Sequence, residues 1–362
     1  MKKIYYIAVV FAILFLAGCG DGIDLPGVNV ETDLNKIPLP DNNVNLEQVE
    51  LKPSTEPMLH EGLHTEEDFQ RIRDKKAAGE EPWVSAYQLL VESQFSQKTA
   101  DTYPTEWIKR GVSGDENYMN AARGATIAYQ QALRWKIEQD DEYAAKAVEN
   151  LNKWVQTCVG VTGNTNLSLA AGLYGYEFAI AGELLRDYGG WDRADFAAFQ
   201  NWLLKVFYPA NDDFLKRHHD TNALHYWANW CLCNIAAKMA IGIVTDRRDI
   251  YNEGIAHLQT GDTNGRLRRA IYHDYAPDYN FAQWQESGRD QGHTLMCVGL
   301  MGVICQLAWS QGDDFFAYDD NLFLRACEYA ACCNYTNETV PYTTYIWQKQ
   351  SQWGYPIPEE QT

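Results

Sequence analysis

Positive charge is scarce in this chain: 30 Lys and Arg stand against 49 Asp and Glu over 362 residues, a formal charge of −19. A field of that sign repels phosphate backbones, which excludes nucleic acid as a partner, and any anionic substrate then needs a locally basic site. Zinc-ligand spacing is also lacking. None of Cys158, Cys231, Cys233, Cys297, Cys305, Cys327, Cys332 and Cys333 forms a pair with a second Cys or His pair at ligand distance. Cys231 and Cys233 fall in an apolar stretch, and a bridge between adjacent Cys332 and Cys333 would be strained, so the expectation is mostly buried free thiols and at most one disulfide. Alternating strand-like runs are few beyond residue 60, and no fixed-period repeat is visible, which disfavours a solenoid.

What is present begins with a leader. Lys2 and Lys3 precede an apolar stretch from Ile4 to Ala17, and Leu16-Ala17-Gly18-Cys19 resembles a bacterial lipobox. The apolar stretch is shorter than the roughly twenty residues of a membrane span. Residues 1–18 therefore read as a lipoprotein signal peptide and Cys19 as the acylated residue, giving an exported lipoprotein of the periplasm or outer membrane that touches membrane only through its lipid. Loss of Lys2 and Lys3 takes the formal charge from −19 to −21. Residues 19–58, with Pro26, Pro38, Pro40, Pro53 and Pro57, have no apolar period and read as a flexible tether. Residues 59–362 remain as one large domain.

That domain reads as helix after helix. Thr65-Glu66-Glu67-Asp68 has the form of a capping box, and the helix it starts ends at Gly79. Apolar spacing of three and four predicts further helices over 82–92, 117–139, 141–159, 166–188, 192–207, 221–244, 247–259, 290–311 and 321–333. Short connections between helices of this length suit antiparallel pairs, which in an all-α domain form either an α/α toroid or an α-solenoid, and the lack of a repeat disfavours the solenoid.

Two segments concentrate polar residues ahead of apolar runs. Glu286, Arg289 and His293 are spaced i, i+3, i+7, and so are Asn222, His225 and Asn229, which on helices makes one polar stripe each. Trp227, Trp230, Trp284 and Tyr226 lie beside these stripes and offer flat faces to sugar rings. Arg289 suits a bidentate contact to a uronate carboxylate. Such a set fits β-elimination at a uronic acid. Neutralising the carboxylate acidifies the C5 proton, a His or Tyr removes it, and a Tyr or His protonates the leaving glycosidic oxygen. Neither metal nor cofactor is required. His218 and His219, near the expected start of the 221–244 helix, read as touching substrate or solvent, with solvent the better reading, and Glu286 reads as the orienter of Arg289.

Tyr226-Trp227-Ala228-Asn229-Trp230, the stretch from Gln283 to His293, and Val340-Pro341-Tyr342-Thr343-Thr344-Tyr345 resemble the bacterial alginate lyase family of polysaccharide lyases, in particular its Bacteroidetes lipoproteins. The resemblance runs from about His60 to the end. It implies an incomplete (α/α) toroid, cleavage of an acidic polysaccharide such as alginate by β-elimination, and an Asn, a His, an Arg and a Tyr as working groups. Asn222 or Asn229 takes the Asn role, His225 the His and Arg289 the Arg. For the Tyr, the position seven residues after the Arg holds Met296 here, which leaves Tyr226 first and Tyr345 second. Trp230, Trp284, Gln285, Glu286, His293 and Tyr345 are the expected substrate contacts. Against the family pattern the chain looks shortened at its C-terminus. Two other readings stay open: a glycoside hydrolase drawing on Glu177, Asp278 or Glu286, which form no evident pair, and a non-catalytic glycan-binding lipoprotein.

Overall fold

The computed structural model describes residues 55–335 and 339–362. The signal peptide, Cys19 and nearly all of the expected tether lie outside the described residues. Helices α1 (Glu66–Ala77) and α2 (Trp83–Glu92) lead to β1 (Trp107–Arg110), α3 (Tyr118–Glu138), α4 (Asp141–Thr157), β2 (Gly160–Gly163) and α5 (Leu167–Leu184). Next come α6 (Arg193–Val206), α7 (Tyr208–Arg217), α8 (Ala228–Val244), α9 (Arg248–Thr260) and the single turn α10 (Leu267–Ala270). The chain continues through β3 (Ile271–Asp274), β4 (Ala282–Trp284), α11 (Gln291–Ser310), α12 (Tyr318–Tyr335), β5 (Tyr345–Trp347) and β6 (Glu359–Gln361).

Burial pattern separates an inner from an outer row. In α5 every residue from Ser168 to Leu184 except Glu177 is buried, whereas α4 buries one stripe made by Tyr143, Ala144, Ala147, Val148, Leu151 and Trp154. A helix apolar all round belongs inside, and one with a single apolar stripe belongs at the surface. Accordingly α3, α5, α8 and α11 pack side by side, with α4 outside α3, α9 outside α8, α12 outside α11, and α7 against α5 and α8. This is the expected incomplete α/α toroid. The α5–α8 contact is close because Gly172 lacks a side chain: a Cβ there would lie 2.4 Å from Cys233 Sγ.

Strands β1, β2 and β4 each lead into an inner helix from the same end of the toroid. β1 pairs with β2 in parallel, and β3–β4 and β5–β6 are antiparallel pairs. The opposite end is crossed by residues 56–61. Gln311 accepts the Leu59 N–H and donates to the carbonyls of Leu59 and Glu61, while Arg248 donates to those of Glu56 and Pro57. Met58, the last residue of the expected tether, is buried in the core. Behind this strap lies a cavity of about 280 Å³, lined by His60, His64, Tyr129, Lys136 and Glu183 among others.

Three expectations need correction. The helix predicted over 221–244 starts only at Ala228, because 221–227 forms turns held by side chains from elsewhere. Helix α7 was not predicted. Pro209 stands in its first turn, where a missing N–H costs nothing. All eight cysteines among the described residues are free, so the allowance for one disulfide is not taken up.

Candidate active site

The N-terminal ends of α8 and α11 meet through the turn that follows β4. Helix α8 has Trp227 as its flanking residue, and the Trp227 side chain caps no amide. The first free N–H groups need acceptors from elsewhere. Gln285 Oε1 accepts the Ala228 N–H at 3.0 Å, and Glu286 Oε1 accepts the Asn229 N–H at 2.8 Å. Both side chains are buried, Glu286 completely. A carboxylate at the positive end of a helix is favourable by about 0.3–1 kcal/mol, and by more when enclosed. Glu286 Oε2 accepts from Arg289 Nη1 at 3.1 Å, and Cys297 Sγ stands 3.3 Å from Oε1. Burial pushes the Glu286 carboxyl above its ordinary range against the pull of Arg289. Gln285 and Glu286 are therefore internal caps, not the substrate contacts expected of them. Glu286 does orient Arg289.

Arg289 itself is partly open, its side chain 29% exposed, with the guanidinium 5.3 Å from the Trp227 ring centroid. Asp290 caps α11 by accepting the His293 N–H at 2.7 Å and holds His293 Nδ1 at 2.6 Å. Although burial opposes it, these bonds keep the Asp290 carboxyl below its usual range. The Glu286–His293 segment is thus a turn followed by a capped helix start, and its side chains converge without sharing a helical face.

The β5–β6 hairpin closes over the loop 221–227. Trp347 stacks on Trp227 at 4.3 Å between centroids, and its Nε1 donates to the His225 carbonyl at 2.7 Å. The Gln350 N–H donates to His225 Nδ1 at 2.8 Å. With Nδ1 used as an acceptor, the neutral ring carries its proton on Nε2. Burial, then the Lys349 charge, lower the His225 pKa and favour that neutral ring. Asn222 is consumed by the same hairpin. Its N–H donates to Gln350 Oε1 at 2.7 Å and its Nδ2 to the Gln348 carbonyl at 3.1 Å. Asn229 differs. It is buried, its Nδ2 makes only a 3.5 Å contact to Met296 Sδ, and its Oδ1 has no hydrogen-bond partner. Of the two asparagines, Asn229 is the one whose amide the fold leaves unspent.

Tyr226 is the hub of an aromatic cluster, with ring centroids of Trp230 at 4.7 Å, His225 at 4.8 Å, Phe214 at 5.1 Å and His219 at 5.7 Å. Its hydroxyl meets the Thr165 side chain, and burial raises its pKa, so it is a phenol at neutral pH. Trp230 is half-buried beside it. Two other aromatics do not reach open space. Trp284 is fully buried and donates through Nε1 to the Ala326 carbonyl at 2.9 Å, a core role that removes it from the expected sugar contacts. Tyr345 is 1% exposed and its hydroxyl donates to the Gln285 carbonyl, so it supports the cap and is lost both as a substrate contact and as the alternative tyrosine. His218 is buried as well, contrary to its solvent-facing reading, while His219 is half-buried against Tyr226. No spacing in the sequence marks His219, because the turn that aims it is irregular. Among the described residues no group of three or more His, Cys, Asp or Glu is placed to hold a metal.

The site so assembled holds Arg289, His225, Tyr226, Asn229, Trp230 and His293 at one end of the inner helices. The sequence matches the alginate lyase family model over residues 72–338. In structure the chain is similar to alginate lyase A1-III from Sphingomonas species A1, at TM-score 0.53 and 14% identity, covering 76% of this chain and 80% of that one. A variant of that enzyme complexed with tetrasaccharide matches at TM-score 0.56, again at 14% identity, over 76% of this chain and 79% of that one. An alginate lyase from Bacteroides ovatus matches at TM-score 0.51 and 14% identity, covering 74% and 81%. No curated protein sequence matches the chain.

Proposed function

The chain belongs to the alginate lyase family, and from that premise we propose that it is a polysaccharide lyase that cleaves a uronate-containing glycan, alginate or a related polyuronate, by β-elimination. The observation that carries the reading is a knot of hydrogen-bond donors in an acidic chain: Arg289 held by a fully buried Glu286, and His225 held as an Nε2–H donor by the Gln350 amide.

In this reading Arg289, with Asn229, binds and neutralises the substrate carboxylate, which acidifies the neighbouring C–H. The chemistry asks for donors aimed at the charge that develops there, and each such donor contributes about 10²–10³ in rate. His225 enters as a donor in place of the proton acceptor that its sequence context suggests, because its one free lone pair is already taken. Tyr226, a phenol at neutral pH, protonates the leaving glycosidic oxygen. Trp230 supplies a ring face for a sugar. Glu286 is spent on the α8 amide and on Arg289, which leaves the site without the carboxylate pair that a glycoside hydrolase needs.

The test is ultraviolet absorbance of unsaturated uronates, followed with purified protein on alginate, glucuronan and pectin. The expected result is a rise on at least one polyuronate, reduced about 10²–10³-fold by Arg289→Ala in a folded protein. Reducing ends without unsaturation, or binding without cleavage, would sink the lyase reading.

A further inference from the structure

Resting on that reading, we propose that His219 is the group that accepts the substrate C5 proton. Four features of its setting carry the assignment. His219 Nε2 stands 2.9 Å from the Oγ of Ser168, a residue 1% exposed in the first turn of α5, and in this assignment Nε2–H donates there, which leaves the Nδ1 lone pair to take the proton. The ring also hydrogen-bonds the Thr165 backbone, and Thr165 is the residue whose side chain meets the Tyr226 hydroxyl. His219 and Tyr226 therefore bring their polar ends to one exposed residue at the cleft surface. Tyr226 also packs against His225, so that one ring, Tyr226, touches both the proposed acceptor and the proposed carboxylate donor.

The backbone is the fourth feature. His218, His219 and Asp220 hold φ of 50°, 52° and 60°, three consecutive non-glycine residues in the left-handed region. Each such residue costs of order 1 kcal/mol, and conformations of this kind concentrate where a side chain must be aimed. Here the turn sets the His219 ring against Phe214 and Tyr226, while Arg217 and Asp220 to either side remain exposed. Burial lowers the affinity of the ring for a proton, Asp213 of α7 and Asp220 of the same turn raise it, and Arg217 lowers it. The balance leaves a neutral imidazole at neutral pH, the form a base requires.

The step balances without a further reactant. The C5–H bond breaks and its proton passes to His219, its electron pair forms the C4–C5 double bond, the C4–O glycosidic bond breaks, and the leaving oxygen takes the Tyr226 proton. Solvent then returns a proton to Tyr226 and removes one from His219.

Two variants suit the left-handed turn and so test chemistry apart from folding: His219→Asn, because Asn tolerates positive φ, and His219→Gly, because Gly adopts it freely. On whichever polyuronate the wild-type enzyme cleaves, both should lose about 10²–10⁴-fold in kcat, with KM and thermal midpoint little changed. Added imidazole should restore part of the His219→Gly rate in proportion to its unprotonated fraction. In the wild type kcat should fall on the acid side with a limb below the ordinary histidine value of 6.5, and His219→Asn should lack that limb. Near-wild-type kcat in both folded variants would overturn the assignment while leaving the lyase reading intact. A wild-type protein silent on every polyuronate would overturn that reading, and this assignment with it. If neither variant folds, an acid limb in the wild type at or above 6.5 would count against His219.

Discussion

At the scale of single residues, two glutamates show how burial assigns opposite tasks to the same side chain. Glu286 has every oxygen committed, to the Asn229 amide on one side and to Arg289 on the other. Glu177 is the one residue of α5 after Leu167 that is not buried as a whole, yet its Oε2 is enclosed without a hydrogen-bond partner, and burial pushes its carboxyl up to about 8. A carboxyl whose pKa is raised on folding binds its proton more tightly in the native state. Its contribution to stability is complete below the unfolded value and is lost as pH rises through about 8. The wild-type protein should therefore lose part of its urea stability between about pH 5 and about pH 8, and Glu177→Gln, which keeps the shape without the charge, should lose less. Equal losses in the two proteins would contradict the assignment.

At the scale of elements, the β5–β6 hairpin carries more of the site than its length suggests. It lies beyond residue 338, where the family match ends. Even so, it accounts for the orientation of His225, the consumption of Asn222 and the stack on Trp227. Ending the chain after Tyr345, which stays to fill its buried place, should lower lyase activity on the order of 10²-fold, as expected when a working group is left mispositioned. The far-UV helical signal should persist, and an undiminished rate would show the hairpin to be dispensable. This element also marks how far the sequence could be read. Helices were legible because apolar spacing reports burial directly, as in the all-round apolar α5 and the single stripe of α4. Arg289 and His225 were legible from residue type and neighbours. What stood behind them was not, since the i, i+3, i+7 spacing of Asn222, His225 and Asn229 suggested a helical face where the structure has turns. Trp284 and Tyr345 carry the same aromatic signal as Trp230, and only packing separates core from cleft. The left-handed turn that aims His219 leaves only a faint mark in His218-His219-Asp220: histidine and aspartate are enriched at positive φ, but no glycine among the three points to it.

At the scale of the whole molecule, a formal charge of −19 works against an anionic polymer before any contact forms. Raising ionic strength from about 10 mM to about 150 mM shortens the screening length from about 30 Å to about 8 Å. It should therefore raise kcat/KM on a polyuronate, the opposite of what a basic polyanion binder does. A fall over that range would argue that local basic groups, Arg289 foremost, outweigh the global field.

The strap at the far end has a bearing on how the enzyme meets a polymer. Residues 56–61 are clasped by Gln311 and Arg248, beyond the C-terminal end of α11 and at the start of α9, whereas Arg289, His225 and His219 gather at the N-terminal ends of α11, α8 and α5. Helix α8 alone separates the two faces by its 17 residues, about 25 Å at 1.5 Å per residue. If the acylation expected at Cys19 holds the molecule through the chain that enters at the strap, the cleft is turned away from the point of attachment, and long strands of a glycan substrate pass across the free face instead of between the protein and its support.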